Sequence, residues 1–268
     1  MSSGFNNDGL KDLFIACTGW DGPRPTAESL NGIWAGEPSY FIKNIGGEKF
    51  ESIKLSITAQ FDDSNIDRYY HGAAAADINN DGLVDILVVD VTKDWNTQGI
   101  YALINKGNFE FEKDYSWITP ETTGNTTIER IDIDNDGKLE LLVGPKKAAL
   151  IYKLGEQQFT LWKKIPEVPK RGVILDFIYQ KELCETGVYI LRSSDLSSGS
   201  YYSSITVQRY DFTSRESEVI YDLLEDTGGK WLAWIVPVLD EDGKWPLKPY
   251  ANTYNYQPAL LPVNDFGN

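Results

Sequence analysis

The segment HGAAAADINNDGLVDILVVD, residues 71–90, carries four oxygen-bearing side chains around a glycine. They are Asp77, Asn79, Asp81 and Asp85, and the glycine is Gly82. Acidic side chains this close together repel one another unless a positive charge lies between them. Carboxylate and amide oxygens are the ligands that hard cations prefer, so the segment predicts a metal-binding loop.

Related segments occur elsewhere in the chain. A second full copy, DIDNDGKLELLVGP, begins at Asp132, and GFNNDGLKDLFIAC begins at Gly4. A decayed copy, VLDEDGKWPL, begins at Val238 and keeps Asp240 and Asp242 but has Pro246 at the last ligand position, so we expect it to bind no metal. We also expect a unit without the motif in residues 172–195. Internal repetition on this scale predicts a repeat architecture.

Strand-like segments surround each loop. In one unit they are LVDILVV, GIYALIN and FEFEKDYSW, and in the next AALIYKL and FTLWKKI. They are short, β-branched or aromatic, and bounded by Gly, Asn and Asp, which is typical of strands. We predict an all-β fold, a single β-propeller domain of four-stranded blades over residues 1–268. The length favours five blades, and a fragment of a six- to eight-bladed propeller is the alternative.

The two ends of the chain are predicted to meet. The first unit lacks an inner strand before its loop, and the C-terminal YQPALLPVNDFGN resembles the missing piece. Pairing of the N- and C-terminal segments would close the ring and remove exposed sheet edges.

The spacing of the loop favours Ca²⁺ over other ions. Side chains at positions one, three, five and nine, with a backbone carbonyl near position seven, suit a cation that takes six to eight oxygens. Mg²⁺ prefers a tighter octahedral shell that keeps several waters. An EF-hand needs Glu at position twelve and flanking helices, and a dockerin continues into a helix. Here position twelve is Val88 or Val143, and a strand follows.

This pattern resembles the FG-GAP or VCBS repeats of integrin-like propellers, including the calcium loops of integrin α-subunits. HGAAAADINNDGLVDIL, together with GWDGP and NGI, is similar to bacterial secreted or surface proteins that carry such repeats. The resemblance implies two calcium sites and a weaker third. The implied ligands are Asp77, Asn79, Asp81, Asp85 and the Leu83 carbonyl; Asp132, Asp134, Asp136, Glu140 and the Lys138 carbonyl; and Asn6, Asp8 and Asp12, where Gly4 stands at position one.

Composition restricts the partners. The chain has 40 Asp and Glu against 25 Lys and Arg, a net charge of −15, which argues against nucleic acid and anionic membrane surfaces. No apolar run is long enough for a transmembrane helix. The two cysteines, Cys17 and Cys184, indicate neither a disulfide framework nor a zinc site, although they could pair.

Three tryptophans are candidates for ligand contact. Trp20 and Trp34 lie in a long predicted loop and Trp95 lies in TKDWNTQG, on the face opposite the calcium loops. Exposed aromatic rings beside polar groups suit sugars, and the alternative is that these rings pack between blades. Trp162, Trp231 and Trp234 lie in strand-like segments, where packing is expected.

Catalytic motifs are missing from the sequence. His71 is the one histidine, and neither a nucleophile elbow nor a zinc motif nor a phosphate loop occurs. We therefore predict a calcium-stabilised extracellular binding module without enzymatic activity that recognises a glycan, as a lectin or adhesin does. A protein-interaction scaffold and a calcium-dependent polysaccharide lyase are the alternatives. Millimolar extracellular calcium suits such sites, so we expect the protein to be secreted or on the cell surface, although no signal peptide is visible.

Overall fold

The computed structural model describes residues 2–17, 37–58, 69–90, 99–117, 127–134, 136–145, 148–155, 158–179, 186–194 and 205–223, and the strands 231–237, 247–252 and 258–260. These residues form five β-sheets that follow one another along the chain. The predicted all-β class is therefore confirmed. No helix in the described ranges is long and apolar enough to cross a membrane.

Each sheet is built from consecutive strands. Sheet 1 contains β1 (Ser2–Ser3), β2 (Asp12–Ile15), β3 (Tyr40–Gly46) and β4 (Lys49–Lys54). Sheet 2 contains β5 (Ser56–Thr58), β6 (Tyr70–Ala76), β7 (Asp85–Asp90), β8 (Gly99–Asn105) and β9 (Glu110–Asp114). Sheet 3 contains β10 (Thr127–Ile131), β11 (Glu140–Gly144), β12 (Ala149–Leu154) and β13 (Phe159–Ile165).

The last two sheets include the unit that was predicted without a metal motif. Sheet 4 contains β14 (Arg171–Ile178), β15 (Gly187–Ser194), β16 (Ile205–Asp211) and β17 (Ser217–Leu223). Sheet 5 contains β18 (Trp231–Pro237), β19 (Leu247–Asn252) and β20 (Pro258–Leu260). The predicted four-stranded unit is present in sheets 1, 3 and 4. Sheet 2 has an additional strand, β5, which pairs in parallel with β9. Sheet 5 has three described strands.

Three apolar clusters join successive sheets face to face. Sheets 1 and 2 pack through aromatic rings, with Phe41 stacked on Phe111 at 5.2 Å between ring centroids. A second cluster joins sheets 2 and 3, and a third joins sheets 3 and 4. The side chains alternate along the strands, so each inner sheet contributes apolar residues to both of its neighbours.

With β5 left out of the count, β6 is the first strand of sheet 2 and β8 the third, and the first strands of the sheets lie side by side. β10 lies between β6 and β14, and β14 lies next to β18. Side chains of β10 and β14 approach β11 so closely that a glycine is required there. A Cβ on Gly144 would lie 2.7 Å from Thr127 Cγ2 and 2.9 Å from Ile174 Cγ2. Packed, twisted sheets with adjacent first strands give a β-propeller-like all-β fold.

Candidate functional site: three acidic loops

Three acidic loops each join the first strand of a sheet to the second. We call residues 4–12 loop 1, residues 77–85 loop 2 and residues 132–140 loop 3. The glycine at position six has positive φ in every copy, +83°, +86° and +81°, which a side chain would strain. The predicted strand–loop–strand context is confirmed, and an EF-hand is excluded because strands flank the loops.

The carboxylate at position nine is buried in all three loops. Asp12 and Asp85 are fully buried and Glu140 is 1% exposed. In loop 2, Asp85 Oδ2 accepts the Ile78 N–H at 3.0 Å, and its Oδ1 accepts the Asn105 N–H at 2.8 Å. The carboxylate thus connects its own loop to the third strand of the sheet.

Loop 1 repeats both contacts, and loop 3 repeats the contact within the loop. Asp12 accepts the N–H groups of Phe5 at 3.1 Å and Asn44 at 2.9 Å. Glu140 accepts the Ile133 N–H at 2.8 Å. Burial raises the pKa of Asp85 to about 6, and burial also raises the pKa of Glu140. Whether the position-nine groups also bind a cation, as predicted, stays a prediction.

Side-chain oxygens of loop 2 accept hydrogen bonds from backbone N–H groups of the same loop. Asp77 accepts the N–H groups of Asp81 at 3.1 Å and Gly82 at 3.0 Å. Asn79 donates to Asp81 Oδ2 at 2.9 Å, and Asp81 Oδ1 accepts the Leu83 N–H at 2.8 Å. The predicted ligands at positions one, three and five are therefore folded around a common centre.

Loop 3 brings three carboxylates together. Oxygens of Asp132, Asp134 and Asp136 lie within 4.8 Å of one another. Asp132 Oδ1 is buried without a hydrogen-bond partner, while Asp136 Oδ1 accepts the Lys138 N–H at 2.8 Å. A buried carboxylate oxygen without a donor needs a positive charge, so these residues fit a hard divalent cation.

Loop 1 has the same fold with fewer charges. Asn6 donates to Asp8 Oδ2 at 2.7 Å, and Asp8 Oδ1 accepts the Leu10 N–H at 2.9 Å. Gly4 at position one contributes no side-chain oxygen. Loop 1 therefore offers two candidate ligands around its centre, against three in each of the other loops.

A lysine that was not predicted lies beside loop 3. Lys153 Nζ is 2.7 Å from Asp134 Oδ2 and 3.6 Å from Glu140 Oε1. It lies on β12 directly opposite Glu140, and the Trp162 ring centroid is 4.3 Å from its Nζ. Pairing of β11 with β12 in the correct register was the signal that could have placed this lysine beside the loop.

Several sequence predictions fall outside the described residues. Among them are all three proposed sugar-contacting tryptophans, the decayed fourth copy and one of the two cysteines: Trp20, Trp34, Trp95, residues 238–246 and Cys184. Cys17 is described and carries a free thiol.

A second group of carboxyls lies on the first strands. Glu129 of β10 is exposed to water, yet the surrounding protein desolvates its carboxyl and raises its pKa. Asp176 of β14 is half-buried, and its Oδ1 accepts the Phe177 N–H at 2.9 Å.

β10 and β14 are neighbouring strands that run in parallel. Ile174 lies near Thr127, since both side chains would meet a Cβ on Gly144. Further along, the Tyr179 hydroxyl donates to Asp132 O at 3.2 Å. Glu129 lies between Thr127 and Asp132 on β10, and Asp176 lies between Ile174 and Tyr179 on β14, where the pairing with β15 shifts register between Ile174 and Asp176.

A family model for the FG-GAP-like repeat matches residues 77–143, which span loops 2 and 3. The chain contains an FG-GAP-like repeat. The predicted resemblance is thereby confirmed for this region. No curated protein matches the sequence significantly.

Solved structures share the fold at low identity. An arabinoxylan arabinofuranohydrolase of glycoside hydrolase family 43 from Bacillus subtilis, solved with cellotetraose, is 9% identical with a TM-score of 0.51. The match covers 96% of this chain and 64% of that enzyme. A family 43 β-1,3-galactosidase solved with galactodeoxynojirimycin is 10% identical over 95% of this chain and 91% of its own, at 0.49. A Lactobacillus plantarum protein is 12% identical over 95% and 82%, at 0.45.

These comparisons correct two predictions that were made from the sequence. The fold is shared with an arabinoxylan arabinofuranohydrolase. The prediction of a lectin-like or adhesin-like binding module, with a scaffold as its alternative, was therefore wrong, and so was the prediction of no enzymatic activity. The binding-module prediction rested on the aromatic residues and the repeat resemblance, and the prediction of no activity rested on missing sequence motifs, which residues brought together from separate strands do not leave.

Proposed function

We propose that the chain is a calcium-stabilised, carbohydrate-active enzyme with a β-propeller fold. Calcium binds loops 2 and 3 and, more weakly, loop 1. The observation that carries the calcium proposal is the trio of carboxylates in loop 3 with one buried oxygen that lacks a donor. Calcium would offset the repulsion among these carboxylates and hold each turn in place.

Calcium bound to the folded state alone stabilises it, by about 2.7 kcal/mol per site at a hundredfold excess over Kd. The melting temperature should therefore rise with calcium and fall when EGTA is added. Isothermal titration should count two or three ions in the unaltered chain. Asp81→Asn should remove the loop 2 ion and Asp136→Asn the loop 3 ion.

The matched control for these variants is Glu110→Gln, which removes one exposed carboxylate outside the loops. It should bind as many ions as the unaltered chain. A chain that binds no calcium and melts at the same temperature in EGTA would overturn the calcium proposal. Because extracellular calcium is millimolar, we also propose that the protein is secreted or attached to the cell surface.

The enzymatic proposal rests on two carboxyls on neighbouring strands and on the shared fold. Glycoside hydrolysis uses a pair of carboxyl groups on either side of the scissile bond. Glu129, whose pKa is raised, suits the acid that protonates the leaving oxygen, because a raised pKa keeps the proton on the group to higher pH than in an ordinary glutamic acid. Asp176, on the neighbouring strand, would serve as the nucleophile or as the base that activates water.

Small residues form the strand on the other side of β10. β6 runs from Gly72 through four alanines to Ala76, of which Ala74, Ala75 and Ala76 are buried. A Cβ on Gly72 would lie 3.4 Å from Ile128 N, so β6 and β10 approach closely at this depth.

A panel of polysaccharides and aryl glycosides, followed by release of reducing ends, tests the enzymatic proposal. Glu129→Gln and Asp176→Asn should each reduce turnover at least a hundredfold, on the order of the effect of general acid catalysis, while the melting temperature stays within a few degrees. Glu110→Gln is again the control. Full activity in both variants would show that these carboxyls are not catalytic.

We also propose that sheet 5 closes the ring against sheet 1. One face of β2 packs on sheet 2 through Phe14, whereas Leu13 and Ile15 on the other face are 42% and 43% exposed. This exposed apolar face is where a fifth blade would pack in a closed propeller. Closure by the N- and C-terminal segments, as predicted from the sequence, is the simplest arrangement.

A further inference from the structure

The ammonium of Lys153 occupies a defined place in loop 3. It is bonded to Asp134 Oδ2 at 2.7 Å and lies 3.6 Å from Glu140 Oε1, so it contacts two of the predicted calcium ligands. Trp162 flanks it with its ring centroid at 4.3 Å, within the range of a cation–π contact. Its side chain is 34% exposed, which leaves a route for the ammonium to move outward.

Loop 2 differs from loop 3 at two linked places. At position three it has Asn79 where loop 3 has Asp134. The register in which Ile86 faces Leu103 places Ile104 opposite position nine of loop 2. In loop 3 the residue opposite position nine is Lys153. Asn79 uses its amide to donate to Asp81 within the loop. Loop 3 thus has one additional carboxylate, Asp134, in contact with an additional lysine, Lys153. It also has Lys138 where loop 2 has Leu83.

Loop 1 also has a lysine opposite position nine. The register in which Leu13 faces Ile42 places Lys43 opposite Asp12. The Lys43 ammonium is 5.9 Å from the Phe109 ring centroid in sheet 2. The direct bond to a position-three carboxylate is therefore a feature of loop 3.

We propose that Lys153 is a built-in competitor of calcium at loop 3. This proposal rests on the proposed calcium binding. An ion that binds Asp134 must displace the ammonium or bind beside it, and either outcome weakens calcium binding. Without calcium, the same ammonium partly neutralises the four carboxylates of the loop. Loop 3 therefore keeps its shape when calcium is scarce, and loop 2 binds the ion first.

Asp81→Asn provides the background for the test, since it disables loop 2 and leaves loop 3 as the stronger of the two remaining sites. In that background, calcium affinity is measured by isothermal titration with and without Lys153→Met. We expect the substitution to tighten binding by about three- to tenfold, because a unit positive charge close to the ion is removed at a partly exposed site. Terbium emission sensitised by Trp162 gives a second readout near loop 3.

Lys163→Met is the matched control. The Lys163 ammonium lies 3.9 Å from the same Trp162 ring, and Lys163 follows Trp162 directly in β13. Its removal deletes the same charge without touching the bond to Asp134, so affinity should change less than twofold. A double variant, Asp134→Asn with Lys153→Ile, copies the loop 2 residues and should bring the affinity of loop 3 close to that of loop 2.

The outcomes separate this proposal from the one on which it rests. If neither Asp81→Asn nor Asp136→Asn binds calcium, the calcium proposal itself fails. If both bind but Lys153→Met leaves the affinity unchanged, weakens it, or shifts it as much as Lys163→Met does, Lys153 is not a competitor.

Discussion

The side-chain amide of Asn105 donates a hydrogen bond of 2.8 Å to the carbonyl oxygen of Phe5. Phe5 belongs to loop 1 and Asn105 to the third strand of sheet 2. The same amide donates to Val84 O at 2.9 Å, and the Asn105 N–H donates to Asp85. One buried side chain therefore connects two acidic loops in neighbouring sheets.

Asn105→Ala should destabilise the protein by about 2–3 kcal/mol, since it leaves buried carbonyl groups without donors. Urea unfolding measures the loss. Thr160→Ala, an exposed substitution on β13, should change stability by less than about 0.5 kcal/mol. Equal stability of the two variants would mean that Asn105 does not hold the loops together.

Gly144→Ala should destabilise the junction of sheets 3 and 4 by about 1–3 kcal/mol, because the added methyl group meets Thr127 and Ile174. Thermal unfolding in excess calcium measures this effect apart from metal binding. Adding Thr127→Ser removes the methyl at 2.7 Å and should restore part of the loss. A double variant no more stable than Gly144→Ala alone would contradict the proposed clash.

The rate of glycoside hydrolysis should fall as pH rises through the pKa of Glu129. The general acid works only when protonated, and burial raises this pKa above the ordinary 4.5, so activity extends to higher pH than an exposed glutamic acid permits. Initial rates from pH 4 to 9 measure this alkaline limb. A rate that keeps rising with pH across that range would exclude Glu129 as the acid.

Leu13→Lys tests the proposed closure of the ring. A lysine on a face that packs against sheet 5 should cost about 2 kcal/mol or more, whereas on an open face it should cost less than about 0.5 kcal/mol. Val219→Lys is the control, since Val219 is equally exposed at 43% on the outer strand β17. The same small effect for both variants would show that the face of Leu13 stays open.

The sequence predicted the loops and their strands because both depend on local spacing. The loop from Asp77 to Asp85 is complete within nine positions, and the strands begin directly at its ends. Lys153 and Asn105 escaped prediction because they reach the loops from a third strand, whose register depends on turn geometry. Glu129 and Asp176 escaped for a related reason, since they lie on the first strands of two different sheets, which become neighbours only when the sheets pack.

Different positions of each loop have different roles, and this affects how such repeats can change over time. The position-nine carboxylate closes the turn by accepting backbone N–H groups, as Asp12 does for Phe5. Positions one, three and five surround the proposed ion. Loop 1 has lost the first of these to Gly4 and still forms the same hairpin, so mutation can erode ion binding in one copy while its turn persists. A duplicated unit of this kind is free to lose, regain or retune its ion independently of its neighbours.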